Sequence, residues 1–183
     1  MLEDLKKIIS CLKFLNIKLS NPKIDINFQS RLIIQKLSFI CKSLGFNFSY
    51  RFNLYKFGPY SPNLTEDYYK YSNYIVNSIS DYKLNTEEHL ICEKIRAYLL
   101  SHPLNKLHQT DLFEAVATAL FVKQYNSDNL DNEVFEKTKN EKPYLNDKTI
   151  IIAINIVKEL LFKDDFLTKD LKEEFELWDN AED

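Results

Sequence analysis

Residues 44–62 read Leu44-Gly45-Phe46-Asn47-Phe48-Ser49-Tyr50-Arg51-Phe52-Asn53-Leu54-Tyr55-Lys56-Phe57-Gly58-Pro59-Tyr60-Ser61-Pro62. They decide the fold by being the exception in it. From Phe46 to Leu54 apolar and polar residues alternate, the two-residue period of an extended strand. A turn built from glycine and proline follows. Ser61-Pro62 then opens a helix, with a hydroxyl cap and a proline at the first helical position. Both glycines of the chain, Gly45 and Gly58, lie in this stretch. Gly45 stands where a left-handed residue commonly stops a helix. Tight hairpins and phosphate-cradling loops need glycine or its substitutes. A chain with two glycines therefore disfavours a many-stranded sandwich or a dinucleotide-binding fold, and helix is expected over more than half of it.

Working outward, the helical periods are strong. Leu2, Leu5, Ile9, Leu12 and Leu15 form one stripe of a first helix, with Asn21-Pro22 in the loop after it. A second helix is expected from about Asn27 to Leu44. Phe28, Leu32, Leu37, Ile40 and Leu44 would face inward, and Arg31, Lys36 and Lys42 outward. Beyond Pro62, Leu64, Tyr68, Tyr71, Ile75 and Ile79 share a face of a third helix. Asn85 with Glu88 predicts a capped start for a helix through Ile91, Ile95 and Leu99, ending before Pro103. Asp111 with Glu114 predicts another cap, for Leu112, Val116, Leu120 and Tyr125. A short helix is expected over 132–139, one from Ile150 to Phe162 capped by Asn146, and a last one from Thr168 to Trp178. The expectation is a mainly α, single-domain bundle over 1–183 with one extended segment around 46–57 and an acidic last helix around 164–183.

The 183 residues can bury a full core. No stretch approaches the ~18 apolar residues of a membrane helix, and the first residues carry charges inside their apolar run, unlike a signal peptide. Cys11, Cys41 and Cys92 are odd in number and widely spaced. They read as reduced core residues in a cytoplasmic protein. Residues 1–56 hold ten Lys/Arg against three Asp/Glu, a net +7, and residues 57–183 a net −10. Such asymmetry can steer a charged partner, although solvated helix faces are the plainer account.

Chemistry finds little foothold. His108, Asp111 and Glu114 are spaced by three and imitate a ligand set. A capping box at Asp111 and Glu114, with His108 in the preceding loop, accounts for them without metal. No metal and no cofactor is expected. Nucleophile, metalloprotease and Walker motifs are missing, which disfavours an enzyme without excluding carboxylates paired in space. Nucleic acid is the stronger alternative. Aromatics interleave with Arg51, Lys56 and Lys70, as in single-strand binders, and residues 88–125 could form a helix-turn-helix. Against this, the second of those helices would open on acidic residues, and the sequence pI is near 5.7.

The run Arg31–Leu37, Leu44-Gly45 and then Tyr50–Ser61 resembles the uncharacterised YwgA-like proteins of bacteria and archaea. The softer pattern Leu112–Tyr125, Lys142-Pro143-Tyr144 and the helix with Ala153 extends the resemblance over about 27–162. More distantly, Tyr55, Gly58 and Pro59 resemble the turn of the Panacea domain of SocA-like antitoxins, whose members usually carry a valine where this chain has Tyr60-Ser61. That resemblance implies a helical binding module without catalysis. Its partner would be a toxin or a regulatory protein, and self-association stays open. The candidate binding residues are Arg51, Tyr55, Lys56, Gly58, Pro59, Tyr60 and Ser61: a stiffened, aromatic-rich turn that presents Tyr60 with Arg51 or Lys56.

Overall fold

The computed structural model describes residues 2–19, 28–125 and 130–161. Of these residues, 72% are helical, so the helical expectation holds. In chain order the elements are α1 (Leu2–Phe14), α2 (Phe28–Leu44), β1 (Asn53–Tyr55), β2 (Gly58–Tyr60), α3 (Pro62–Lys70), α4 (Ser72–Val76), α5 (Thr86–Lys94), a π-helical turn (Ile95–Leu100), α6 (Pro103–Leu107), α7 (Gln109–Tyr125), α8 (Asp131–Glu141) and α9 (Asp147–Leu161). The expected loop at Asn21-Pro22 and the expected last helix from Thr168 lie outside the described residues, as does Phe162.

The bundle is built around α7, which packs on α2, α6, α8, α9 and the hairpin strand β2. Every residue from Leu112 to Leu120 is buried. A helix enclosed on all sides needs apolar residues all round rather than on one stripe, and Leu112, Phe113, Val116 and Leu120 supply the bulk. Ala115, Ala117 and Ala119 are small enough to let neighbouring helices approach. Each fully buried large side chain contributes about 1.5–3 kcal/mol. The same core reaches Leu5, Ile8 and Ile9 of α1, Ile34 and Ile40 of α2, and Ile150 and Ala153 of α9.

Local signals explain most boundaries. Ser61 caps α3, its hydroxyl accepting from the Leu64 N–H at 3.4 Å. Asn85 and Glu88 form the expected capping box, and the Asn146 side chain accepts from the Lys148 N–H at 2.9 Å. The expected third helix is divided, because Tyr71 leaves helical geometry between α3 and α4, and Ile79 is exposed. The cap expected at Asp111 and Glu114 is not formed. α7 begins earlier, at Gln109, and Glu114 is buried inside the bundle.

The alternation of 46–54 is real in space. Phe46, Phe48 and Tyr50 are buried, while Asn47, Ser49 and Arg51 are exposed. Yet among the described residues the stretch before Asn53 pairs with no strand. Backbone groups must find partners, and here side chains serve them. Lys7 Nζ donates to the Asn47 carbonyl at 3.1 Å, and Lys42 Nζ to the Phe48 carbonyl at 2.9 Å and to the Tyr50 carbonyl. Asp4 Oδ2 accepts from the Ser49 N–H at 3.0 Å and from its hydroxyl. Asn53–Tyr55 does meet a strand, the antiparallel Gly58–Tyr60.

Candidate functional site

The hairpin of β1 and β2 turns through Lys56 and Phe57, and its backbone is anchored from three sides. Lys142 follows α8. Its Nζ donates to the Tyr55 carbonyl at 2.9 Å and to the Lys56 carbonyl at 2.7 Å. Lys36, in the middle of α2, sends its Nζ to the Pro59 carbonyl at 2.8 Å. Gln35, one residue earlier, clamps Ser61. Its Oε1 accepts from the Ser61 N–H at 2.9 Å, and its Nε2 donates to the Ser61 carbonyl at 3.0 Å and to Thr65 Oγ1 at 2.9 Å. Gly58 adopts φ +82°, a left-handed conformation that other residues reach only with strain. A Cβ placed on it would stand 2.8 Å from Thr118 Oγ1 and 3.4 Å from Lys36 Nζ. The hairpin thus lies flat between α2 and α7 with no room for a side chain at this point.

Beneath the turn lies a cluster of buried ionisable groups. Lys36, Glu114 and Lys142 are each at most 5% exposed. The Tyr144 hydroxyl donates to Glu114 Oε1. Burial pushes the Lys36 amine down to about 7, opposed by the Glu114 charge and reinforced by Lys142. Burial also lowers Lys142 and raises Glu114. Tyr144 is raised by burial and by its bond to Glu114. The sequence misplaced two of these groups, taking Lys36 as outward-facing and Glu114 as a cap. The signal for both was available in the apolar residues that surround them on every face of α2 and α7.

The lysine shifts fix a pH dependence. An amine whose folded pKa lies below its unfolded value disfavours folding while both states are protonated. Between pH 7 and about 8.5 the unfolded state holds more protons than the folded one, so stability rises with pH. Above about 9 the sign reverses, because the buried thiols of Cys11 and Cys92, and then the hydroxyls of Tyr50 and Tyr144, have raised pKa values and keep their protons longer in the folded state. The melting temperature should therefore climb from pH 7 toward about pH 8.5 and then fall. A thermal scan of Lys36→Met over the same range should show a flatter climb.

Around the anchored turn stands a ring of exposed aromatics. Phe28, Tyr55, Phe57, Tyr69 and Tyr144 are each 39–55% exposed. Phe28 was expected to face the core. It instead packs edge-on against Phe57, ring centres 5.3 Å apart. Tyr55 packs edge-on against Tyr60 at 5.3 Å. A groove of about 290 Å³ runs between α2, the turn and α3, and is walled by Phe28, Phe57, Tyr60, Tyr68 and Tyr69. Arg31 and Lys36 also line it. The Arg31 guanidinium lies 5.9 Å from the Tyr69 ring centre and donates to its hydroxyl.

Of the residues proposed from sequence, Tyr55 and Lys56 are exposed at the turn and Tyr60 is half-buried beside the groove. Gly58, Pro59 and Ser61 are buried and act as scaffold. Arg51 is exposed but does not line the groove; the arginine beside the aromatics is Arg31. His108 ends α6 rather than meeting Glu114 in a ligand set. Among the described residues, no group of three or more His, Cys, Asp or Glu is arranged to hold a metal ion, and no helix is long and apolar enough to cross a membrane. In comparisons with known proteins, the chain matches no family model, no curated protein and no solved structure.

Proposed function

We propose that this protein is a non-catalytic protein-interaction module, antitoxin-like or regulatory in role, whose contact surface is the β1–β2 turn and the groove beside it. The observation that supports the reading most is the pairing of exposed aromatics with a backbone held by buried lysines. Large apolar rings left in water are disfavoured unless something covers them. Aromatic and arginine side chains on a rigid support are what binding hot spots are made of. Lys36 and Lys142 direct their amines at hairpin carbonyls. That use of buried charge suits a scaffold better than a reacting centre. The resemblance to helical antitoxin domains points the same way. The three thiols, buried and unpaired with Sγ atoms 3.3 and 3.6 Å apart, agree with residence in the reducing cytoplasm.

The experiment is affinity purification of the tagged chain from its own cells, beside Phe57→Ala and Ile151→Ala. Phe57 and Ile151 are both exposed, at the turn and on α9 respectively, so neither change should move the melting temperature by more than about 2 °C. Phe57→Ala should lose a stoichiometric protein partner by at least about tenfold, and Ile151→Ala should keep it. A partner that survives Phe57→Ala and is lost with Ile151→Ala would move the interface to α9.

A further inference from the structure

We infer that the groove between α2, the turn and α3 takes an acidic peptide segment of the partner protein, with one bulky apolar side chain between the aromatic walls and a neighbouring carboxylate on Arg31. The inference rests on the interaction reading above and gives it a chemistry.

Size argues first. At about 290 Å³ the groove is at the bottom of the ~300–1,000 Å³ range of small-molecule sites, which suits one large side chain. The walls argue second. Phe28, Phe57, Tyr60 and Tyr69 offer ring faces and edges to an apolar or aromatic group. Charge selects among apolar partners. Two basic side chains line the groove, Arg31 and Lys36, and no Asp or Glu among the described residues does; Lys36 is buried with its amine on the Pro59 carbonyl, which leaves the charge of Arg31 unmatched there. A third cation, Lys56, sits over the Phe57 ring at 5.4 Å. On α3, Asp67 is buried and already accepts from the Tyr50 hydroxyl at 2.7 Å.

Arg31 itself is built to receive an anion. The residue is half-buried, its guanidinium is held against Tyr69, and among the described residues it donates to Tyr69 alone. Guanidinium carries five donors in a planar fork, so a carboxylate can still be held through two parallel bonds. Gln35 and Thr65, the other polar side chains here, are already committed to each other and to Ser61. Arg31 is therefore the groove's available charged donor, and a carboxylate next to an apolar side chain is its complement. An acidic peptide is favoured over nucleic acid because the groove itself presents one uncommitted cation, Arg31, whereas nucleic acid is held by neutralising several phosphates at once.

A displayed library of random 12-residue peptides, selected on the full chain and counter-selected on Phe57→Ala, tests this. The expected pool is acidic and carries an aromatic or large aliphatic residue. Synthetic members should bind Arg31→Ala about tenfold more weakly, with Arg31→Lys in between, while both variants melt with the wild type. Replacing their Glu and Asp by Gln and Asn should cost a similar factor. A Phe57-dependent pool that is neutral or basic would overturn the acidic inference and leave the turn as the interaction site. Failure to enrich any Phe57-dependent pool would overturn it too, and the interaction reading would fall with it only if the natural partner also ignored Phe57→Ala. Tight, Arg31-dependent binding of a thymidine 12-mer would reassign the groove to single-stranded nucleic acid. Self-association abolished by Arg31→Ala in sedimentation would reassign it to a second copy.

Discussion

Gly58→Val is expected to destabilise the protein by about 2–5 kcal/mol, combining a side chain forced to positive φ with overpacking against a helix. For a chain of this size each kcal/mol moves the melting temperature by about 2–4 °C, so the loss should be plain in a thermal scan. The two causes can be separated. Gly58 sits at φ +82°, and its hypothetical Cβ meets Thr118 Oγ1 at 2.8 Å. Thr118 is fully buried, and its hydroxyl has no hydrogen-bond partner among the described residues. Thr118→Ala removes both the obstructing oxygen and a buried polar atom without a bond, so by itself it should cost little. In that background Gly58→Ala should lose the steric part of its penalty and keep the conformational part, about 1–2 kcal/mol. A double-mutant cycle reads the difference directly. If Gly58→Ala costs the same with and without Thr118, the hairpin does not lie against α7 as described.

The same cycle bears on what the sequence could disclose. Gly58 stood out in a chain with only two glycines, and so did the Ser61-Pro62 helix start. The alternation from Phe46 to Leu54 correctly separated buried from exposed residues, because burial of an extended chain obeys a two-residue period whether or not a strand lies beside it. The hairpin itself was not legible. Its strands are three residues each, too short for a periodic signal. Its loop, Lys56-Phe57, carries neither the Asn nor the Gly of common two-residue turns. What substitutes for a longer sheet is a set of lysines, and lysine is ordinarily read as surface. Lys36 lies within a run, Leu32 to Cys41, that is buried throughout. An amine so nearly buried needs a protein acceptor, and the Pro59 carbonyl is that acceptor. Glu114 was misread for the mirror-image reason: its spacing from Asp111 fits a capping box, but α7 is enclosed on all sides from Leu112 onward. Neither the Phe28–Phe57 contact nor the place of Arg31 could be inferred, since both depend on how α2 meets the turn.

Lys142→Met should be the most damaging volume-conserving change in the site, at about 2–5 kcal/mol, and should loosen the hairpin before the rest of the fold. Lys142 is fully buried and bonds two carbonyls of the turn, at 2.9 and 2.7 Å. Methionine fills the space but takes the amine from both carbonyls and leaves the Lys56 carbonyl only the Tyr144 hydroxyl at 3.4 Å; each unsatisfied buried group costs about 1–3 kcal/mol. It also removes a positive charge that stabilises the ionised form of Glu114. Lys36→Met is the instructive contrast. It frees one carbonyl rather than two, and it relieves a desolvated amine whose pKa has fallen to about 7. Replacing a poorly compensated buried charge by an apolar side chain is often neutral or stabilising, so Lys36→Met should cost about 1 kcal/mol or less at pH 7. Amide hydrogen exchange locates the damage. In Lys142→Met the amides of 53–60 should exchange at least about tenfold faster while those of α7 and α9 stay protected, because local opening requires only the anchors to fail. Partner binding should weaken in parallel, since ordering a loosened turn now opposes docking. If exchange at 53–60 is unchanged in Lys142→Met, the turn draws its rigidity from the strand pair and the Gln35–Ser61 clamp alone. Buried lysines would then not be what holds the aromatic surface ready for a partner.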